Sequence, residues 1–331
     1  MIFLKIFKFF SVTLIFFSFI ACSSQEEKEQ SSHATQMQYD IEIGYAAWPG
    51  YEIVYYPQVK RIFQKYGIRV KITRFSDQES ACRALSDMKI DAVLTSVWDT
   101  LLLNSNNNFH IILATDISYG SDGIVANNSI HSVKDLQGKK ISAQNNAINM
   151  LILREALQKS GMSYKDVTIV DITNEEALAE IYHKNIDAAV LWEPLLLKTK
   201  EKIDGNIIFT TKEVNSSVID VLAVNDLSFQ SKKKVWEKFL FSWYDTMKVL
   251  QKNPQEVMSI IERETINPNF SQNYQGLKPG TLALNKELFL QGKLQKSTQK
   301  IKSYIQNSNE PHVIISTDFV KQSIKKWEQT Q

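Results

Sequence analysis

Residues 186–196 read IDAAVLWEPLL, and residues 90–102 read IDAVLTSVWDTLL. Each stretch starts with Ile-Asp, continues as a short apolar run, and passes through a Trp and an acid into a second apolar stretch. Such a run is typical of a buried strand, and an acid is favoured in the first turn of a following helix. Two of these units, about 95 residues apart, predict two lobes of similar build, with chance recurrence in an α/β chain as the alternative.

The rest of the chain has the same alternation of strand-like and helical segments. Residues 41–45 and 70–75 have strand patterns, and residues 148–160 carry apolar side chains near a period of 3.6. Beyond residue 226 the pattern becomes mainly helical. This order predicts an α/β protein with mostly parallel sheets.

Composition excludes several classes of protein. The 331 residues are 44% hydrophobic and 22% charged, with 11 Gly and 7 Pro, so the chain is not disordered, collagen-like or a disulfide scaffold. The net charge of only +2 gives no indication of the basic surface stripe that nucleic-acid binding requires, and we expect no nucleic-acid partner.

The first 21 residues have the pattern of a signal peptide. They contain two lysines, no acid, and an apolar run over 9–21 that is shorter than the roughly 20 residues of a spanning helix. Phe19-Ile20-Ala21-Cys22 resembles a bacterial lipobox, so we expect cleavage before Cys22 and lipidation of Cys22, including palmitate. A plain secretory signal with an incidental cysteine is the alternative.

Residues 22–38 are polar and predict a flexible tether between the lipid and a folded domain. We therefore expect a membrane-anchored lipoprotein of the cell envelope that faces the periplasm, with inner or outer membrane left open. Without residues 1–21 the chain is formally neutral, and Cys82 is its one cysteine besides Cys22.

Chemistry-bearing side chains concentrate at the carboxyl ends of the predicted strands, where open α/β sheets bind ligands. These segments contain aromatic and acidic residues but neither Lys nor Arg: 46–52, 95–100, 116–122, 143–149, 191–193 and 215–220. Aromatic faces and carboxylates suit an amine, a quaternary ammonium or an aminated heterocycle. Oxyanions are normally bound by cationic side chains. Because free backbone amides at helix N-termini can also bind them, an oxyanion ligand is not excluded.

Signatures of catalysis are weak. No two of the five histidines are spaced i, i+4, none neighbours a cysteine, and no nucleophile-elbow, P-loop or dinucleotide-binding motif occurs. We expect no catalytic residue, no metal and no cofactor.

The sequence resembles the substrate-binding proteins of ABC importers in the nitrate, sulfonate and taurine group, which includes binders of a thiamine pyrimidine precursor. The resemblance covers residues 39–331 and is carried by WPGYE (48–52), VWDT (97–100), YGSDGIVA (119–126), VKDLQGKK (133–140), DAAVLWEP (187–194) and VIDVL (218–222).

This resemblance implies a type II periplasmic-binding-protein fold, in which two α/β lobes joined by two crossover strands close over a ligand. The crossovers would fall near residues 124–128 and 214–219. Lobe one would then comprise residues 39–125 plus 218–331, and lobe two residues 126–217.

The same resemblance, together with the lipobox, leads us to expect a lipid-anchored, monomeric solute-binding component that delivers a small organic nutrient to an inner-membrane ABC permease. We expect an amine or aminated heterocycle, with Trp48 and Trp98 caging it and Asp99 and Glu193 fixing a nitrogen. Asn residues in 144–149, where anion-binding relatives often have Ser or Thr, weaken the case for a sulfonate. The expected ligand-binding residues are Trp48, Tyr51, Glu52, Ser96, Trp98, Asp99, Asp122, Asn146, Asn149, Glu193 and Asp220.

Two other functions remain open from the sequence. One is an enzyme of cofactor biosynthesis on the same fold, and the other is a sensory lipoprotein. The ligand's identity and charge are not fixed by these residues.

Overall fold

The computed structural model describes residues 38–103, 106–145, 147–214, 218–265, 269–305 and 312–331. The expected signal peptide, Cys22, the tether up to residue 37 and Asn146 all lie outside these ranges. Within the ranges, no helix combines the length and apolar character needed to cross a bilayer.

Seven strands form the first sheet, in the order β11-β4-β10-β3-β1-β2, with β12 also paired to β4. They are β1 (Ile41–Tyr45), β2 (Val70–Arg74), β3 (Ala92–Ser96), β4 (Asn108–Ser118), β10 (Ile219–Asn225), β11 (Leu277–Pro279) and β12 (His312–Ile315).

Five strands form the second sheet, in the order β7-β6-β8-β5-β9. They are β5 (Asp122–Ala126), β6 (Lys140–Ser142), β7 (Thr168–Val170), β8 (Ala188–Trp192) and β9 (Asn206–Thr210). The strand at 122–126 lies wholly in this sheet, so the first connection between the sheets is at residues 119–121, ahead of the 124–128 that the resemblance implied.

Helices cover both sheets and make up most of the C-terminal third of the chain. They are α1 (Pro49–Glu52), α2 (Tyr55–Val59), α3 (Ile62–Lys65), α4 (Gln78–Ser86), α5 (Val97–Leu101), α6 (Ile148–Lys159), α7 (Asn174–Tyr182), α8 (Leu195–Ile203), α9 (Asp226–Ser231), α10 (Lys233–Lys252), α11 (Pro254–Thr265), α12 (Phe270–Tyr274), α13 (Leu282–Asn285), α14 (Lys293–Lys302) and α15 (Thr317–Gln329). A π-helical turn spans Lys286–Leu290, and 3-10 helices span Val133–Leu136, Tyr164–Asp166 and Thr211–Glu213.

Both sheets are mixed, which corrects the expectation of mostly parallel sheets. The pairs β1–β2, β1–β3, β4–β12, β6–β7 and β6–β8 are parallel. Strand β10 runs antiparallel to β3 and β4, and β5 runs antiparallel to β8 and β9. Strand β11 also runs antiparallel to β4. The exceptions at β5 and β10 arise because each of these strands directly follows a passage of the chain from one sheet to the other.

The two similar sequence stretches occupy equivalent places. Each forms a strand followed by a helix: β3 with α5, and β8 with α8. Strand β3 lies parallel beside β1, with Ala92 opposite Ile43, and β8 lies parallel beside β6, with Ala188 opposite Ile141. The repeat therefore corresponds to matching strand–helix units in the two sheets.

The outer edge of β4 is covered in three pieces. Strand β12 pairs with its first part and β11 with its last part. Between them, the fully buried Asn285 side chain takes the place of a strand: its Oδ1 accepts from the Ala114 N–H at 2.9 Å, and its Nδ2 donates to the Ala114 carbonyl at 3.0 Å. One side chain thereby satisfies both backbone groups of a buried residue.

Replacing Asn285 with Ala should destabilise the protein by about 3 kcal/mol, because it leaves two buried backbone groups without partners. Urea unfolding with an unchanged slope would measure this loss. The control is Asn269→Ala, since Asn269 is exposed and makes no capping bond, and it should change stability by less than about 0.5 kcal/mol. Equal effects of the two substitutions would contradict the role of Asn285.

Candidate ligand-binding site

A cavity lies between the two sheets and encloses about 340 Å³ of empty space, its open mouth included. The first sheet and its helices supply most of the wall, and the second supplies Asp122, Ile148 and Trp192. The described lining residues are Ala47, Trp48, Tyr51, Gln78, Ser96, Asp99, Asp122, Ile148, Trp192, Val218 and Asp220.

The turn after β1 presents two aromatic side chains to this cavity. Trp48 is extended and Pro49 starts α1, so Trp48 and Tyr51 lie on one side of a single helical turn. Gly50 lets this turn approach β4, since an added Cβ would collide with the Asp116 carboxylate. The indole Nε1 of Trp48 points at that carboxylate, at 3.3 and 3.4 Å from its two oxygens.

Two buried aspartates face each other beneath these aromatics. Asp116 of β4 and Asp220 of β10 are directly opposite in the antiparallel register, and Tyr51 Oη donates to Asp220 Oδ1 at 2.6 Å. Burial raises the pKa of both carboxyls, and the charge of Asp116 raises the pKa of Asp220 further. The pair therefore holds a proton more tightly than ordinary aspartates do.

Asp122 is the first residue of β5 and lies opposite Trp192 of β8. It is 2% exposed, and its Oδ2 has no hydrogen-bond partner within the described part of the chain. Burial raises the pKa of Asp122 to about 7; a hydrogen bond from Ser118 opposes this rise, while Asp116 adds to it. A residue of the cavity wall thus carries a buried carboxylate oxygen whose hydrogen-bonding capacity is unused within the described chain.

Asp99 is held by the start of its own helix. Ser96 caps α5 by accepting from the Asp99 N–H at 3.0 Å, and the Ser96 hydroxyl donates to Asp99 Oδ2 at 2.7 Å. Burial raises the pKa of Asp99 to about 6, against the lowering effects of Ser96 and of the Ile148 N–H.

Six of the residues expected from the sequence line the cavity: Trp48, Tyr51, Ser96, Asp99, Asp122 and Asp220. Trp192, Gln78 and Ile148 were missed. Trp192 carried a usable signal, because it ends the strand of the IDAAVLWEPLL stretch. Gln78 carried none, since it starts α4 and reaches the wall while its amide donates to the Leu94 carbonyl at 3.3 Å.

Four further expected residues are outside the described lining. Trp98 packs in the hydrophobic core, and Glu52 is buried. Asn149 donates to Asn174 Oδ1 at 2.9 Å and to the Val190 carbonyl at 2.8 Å. Glu193 lies just before α8 and accepts from the Leu197 N–H at 3.2 Å. Trp192 is in the described lining and Trp98 is not. Glu193 accepts from an amide of the first turn of α8 because such amides need acceptors.

The described wall is acidic and aromatic, with neither Lys nor Arg in it. Across the described ranges, no group of three or more His, Cys, Asp or Glu side chains is arranged to hold a metal ion. Chemically, the wall offers carboxylate acceptors and aromatic faces.

Comparisons with known proteins give the fold and the family. A family profile described as "NMT1/THI5 like" matches residues 48–257. A candidate binding protein of Brucella abortus (strain 2308) is 27% identical over 169 residues, which are 50% of this chain and 52% of that protein. The chain thus spans about half the length of the curated relatives it matches.

Solved structures share the fold at low sequence identity. The periplasmic aliphatic sulphonate binding protein SsuA from Escherichia coli superposes with a TM-score of 0.64 at 14% identity, covering 86% of this chain and 91% of that one. The ligand-binding component of an ABC-type import system from Staphylococcus aureus gives 0.67 at 13% identity, covering 86% and 99%. The desulfurization enzyme DSZB gives 0.64 at 12% identity, also covering 86% and 99%.

The expected fold is therefore confirmed as that of the periplasmic binding proteins. The family profile spans well over half of the chain, and the chain belongs to the NMT1/THI5-like family.

Proposed function

We propose that this protein is the solute-binding component of an ABC importer and that it captures a small organic solute with a cationic or hydrogen-donating nitrogen. An amine or an aminated heterocycle fits this description. The observation that carries the proposal is the unpartnered Oδ2 of Asp122 in a cavity whose described wall is aromatic and acidic, without Lys or Arg.

The wall suggests how such a solute is held. Trp48 and Trp192 offer indole faces for a flat ring or an ammonium group. Asp122 accepts a hydrogen bond from the solute's nitrogen, and this bond satisfies the oxygen that has no partner in the described chain. Solutes without a donor leave a buried carboxylate unpaired, which costs free energy and gives selectivity.

The two sheets serve in this proposal as the cores of two lobes. The division expected from the sequence, 39–125 plus 218–331 against 126–217, shifts slightly because β5 pairs within the second sheet. Residues 119–121 would act as one hinge. Closure about this hinge would bring Asp122 and Trp192 towards Trp48.

The proposal places the protein at the cell envelope, facing the periplasm and delivering its solute to a membrane permease. Anchoring through a lipid on Cys22 rests on residues 1–22 of the sequence. The importer role is supported by the resemblance of the fold to the component from Staphylococcus aureus.

Calorimetry against a panel of solutes should show binding of amines or aminopyrimidines and no binding of nitrate or methanesulfonate. Taurine, which carries both an ammonium and a sulfonate, tests whether the anion is tolerated. Tight binding of the anions alone would overturn the assignment of a cationic solute.

Because DSZB shows that the fold also supports an enzyme, the bound solute should be recovered after long incubation and analysed by mass spectrometry. An unchanged solute is the expected result. Steady conversion to a product would favour the enzyme alternative over the importer.

Asp122→Asn should weaken binding of the best amine by about 100-fold, since a hydrogen bond to a charged group contributes about 1.5–3 kcal/mol. The matched control is Asp135→Asn, because Asp135 is exposed and caps a 3-10 helix away from the cavity. Calorimetry should give wild-type affinity for the control, and equal affinities for all three proteins would contradict the role of Asp122.

Binding of an amine that stays protonated should weaken by about tenfold for each pH unit below about 7, because protonation of Asp122 removes the charge that it binds. Stability of the unliganded protein should follow the opposite trend. The folded pKa of Asp122 lies above its unfolded value, so its contribution to stability is largest at low pH and is lost as pH rises through about 7.

Titrations and urea unfolding between about pH 5.5 and about pH 8.5 measure both trends. For both the binding affinity and the free energy of unfolding, the informative value is the difference between wild type and Asp122→Asn, since the other carboxyls are common to both proteins. A difference that does not vary with pH would refute the raised pKa of Asp122.

A further inference from the structure

Helix α6, on the side of the second sheet, meets helix α14, on the side of the first sheet. Helix α6 packs against β5 and β8, whereas α14 packs against α5 and the π-helical turn. Two side chains of α6 contact two side chains at the end of α14 and just beyond it: Arg154 and Glu155 on one side, Lys300 and Tyr304 on the other. None of these four side chains is in the described lining of the cavity.

The stronger of the two contacts is a stacked pair. The guanidinium carbon Cζ of Arg154 lies over the Tyr304 ring, 4.0 Å from the ring centroid. The Nε of Arg154 is buried and has no hydrogen-bond partner within the described ranges. A cation is attracted to an aromatic face more strongly where water is excluded. The pair therefore provides a directional attraction between an element of each sheet.

A charge pair lies beside the stacked pair. Lys300 Nζ is 3.9 Å from Glu155 Oε1, and the Lys300 side chain is 51% exposed. Water screens a pair of this kind, so it contributes little free energy. The contact between α6 and α14 therefore depends mainly on Arg154 and Tyr304.

The chain segment proposed above as a hinge is anchored on both sides. The Tyr119 N–H donates to the Gly276 carbonyl at 2.7 Å, next to β11 of the first sheet. The Gly120 N–H donates to Thr211 Oγ1 at 2.8 Å, just after β9 of the second sheet. A rotation of one sheet against the other therefore has its pivot between residues 119 and 120, and it separates α6 from α14.

We propose that Arg154 is a positioning residue for solute binding and that its stacking on Tyr304 is a latch between the two lobes, which holds them closed and slows release of the solute. This inference rests on the proposed function, because it uses the lobes and the hinge of that proposal. A contact made only in the closed state favours that state by the whole free energy of the contact.

A double-mutant cycle tests the contact itself. Urea unfolding is measured for Arg154→Met, for Tyr304→Leu and for the double variant, without solute. The effects of the two substitutions on the unfolding equilibrium constant should depart from additivity by about fivefold, because each substitution removes the same contact. Additive effects would overturn the latch.

Stopped-flow kinetics test the role of the latch in retention. The probe is benzylamine or 4-aminopyrimidine, whichever binds wild type more tightly. Arg154→Met and Tyr304→Leu should each release the probe about fivefold faster at an unchanged association rate, because the latch forms after the probe has entered. Tyr304→Phe keeps the aromatic face and should release it at the wild-type rate. A protein that is merely destabilised would show a smaller active fraction and the same release rate.

Tyr182→Leu is the matched control for these kinetics. Lys202 Nζ lies 4.5 Å from the centroid of the Tyr182 ring, and both residues belong to helices of the second lobe, α8 and α7. Its loss removes a contact of the same kind without affecting closure, so the release rate should stay that of wild type. Equal release rates in the control and in both latch variants would contradict the proposal.

Small-angle scattering without solute separates failure of this inference from failure of the proposed function. Arg154→Met should have a larger radius of gyration than wild type and Tyr182→Leu, because open lobes spread the mass of the protein. If neither probe binds wild type, the proposed solute class fails, and the double-mutant cycle and the scattering still judge the latch. An unchanged radius in Arg154→Met would then overturn it.

Discussion

Buried carboxylates without cations beside them are the constraint on which this site depends. Asp99, Asp116, Asp122 and Asp220 are each at least nine-tenths buried. Taking a carboxylate out of water costs several kcal/mol unless it is protonated, hydrogen-bonded or paired. The four carboxylates differ in their hydrogen-bond partners. Those differences determine which carboxylate oxygens remain free to accept a hydrogen bond from a solute.

The fold supplies these surroundings through long-range pairing. Strands β4 and β10 bring Asp116 and Asp220 face to face, and the turn at Gly50 brings Trp48 and Tyr51 onto them. Trp48 donates to Asp116 and Tyr51 donates to Asp220 Oδ1, while Asp220 Oδ2 has no hydrogen-bond partner in the described chain. Asp122 comes from the other sheet, where Trp192 is its cross-strand neighbour, and its Oδ2 meets no donor in the described chain.

Much of this could be predicted from the sequence because the information is local. The repeated stretch identified two equivalent strand–helix units. The tendency of open α/β sheets to bind ligands at the carboxyl ends of their strands identified six of the residues around the cavity. Trp98 and Trp192 show where local reasoning fails: both follow apolar runs, but Trp98 lies inside a helix whose turn directs it to the core, while Trp192 ends its strand at the cavity. Asn149 and Glu193 satisfy polar groups of their own sheet and helix, a demand that spacing alone does not reveal. The contact between Asp116 and Asp220 depends on a pairing across about 100 residues of chain.

The covering of β4 in three pieces has a consequence for the order in which the chain can fold. Its partners β10, β11 and β12, and Asn285 between them, all come at least about 100 residues after it. A chain that emerges from its amino end therefore carries an eleven-residue, largely apolar strand with both edges bare until residue 219 is available. Bare apolar edges pair with other chains. We therefore expect chains truncated before residue 219 to aggregate rather than fold.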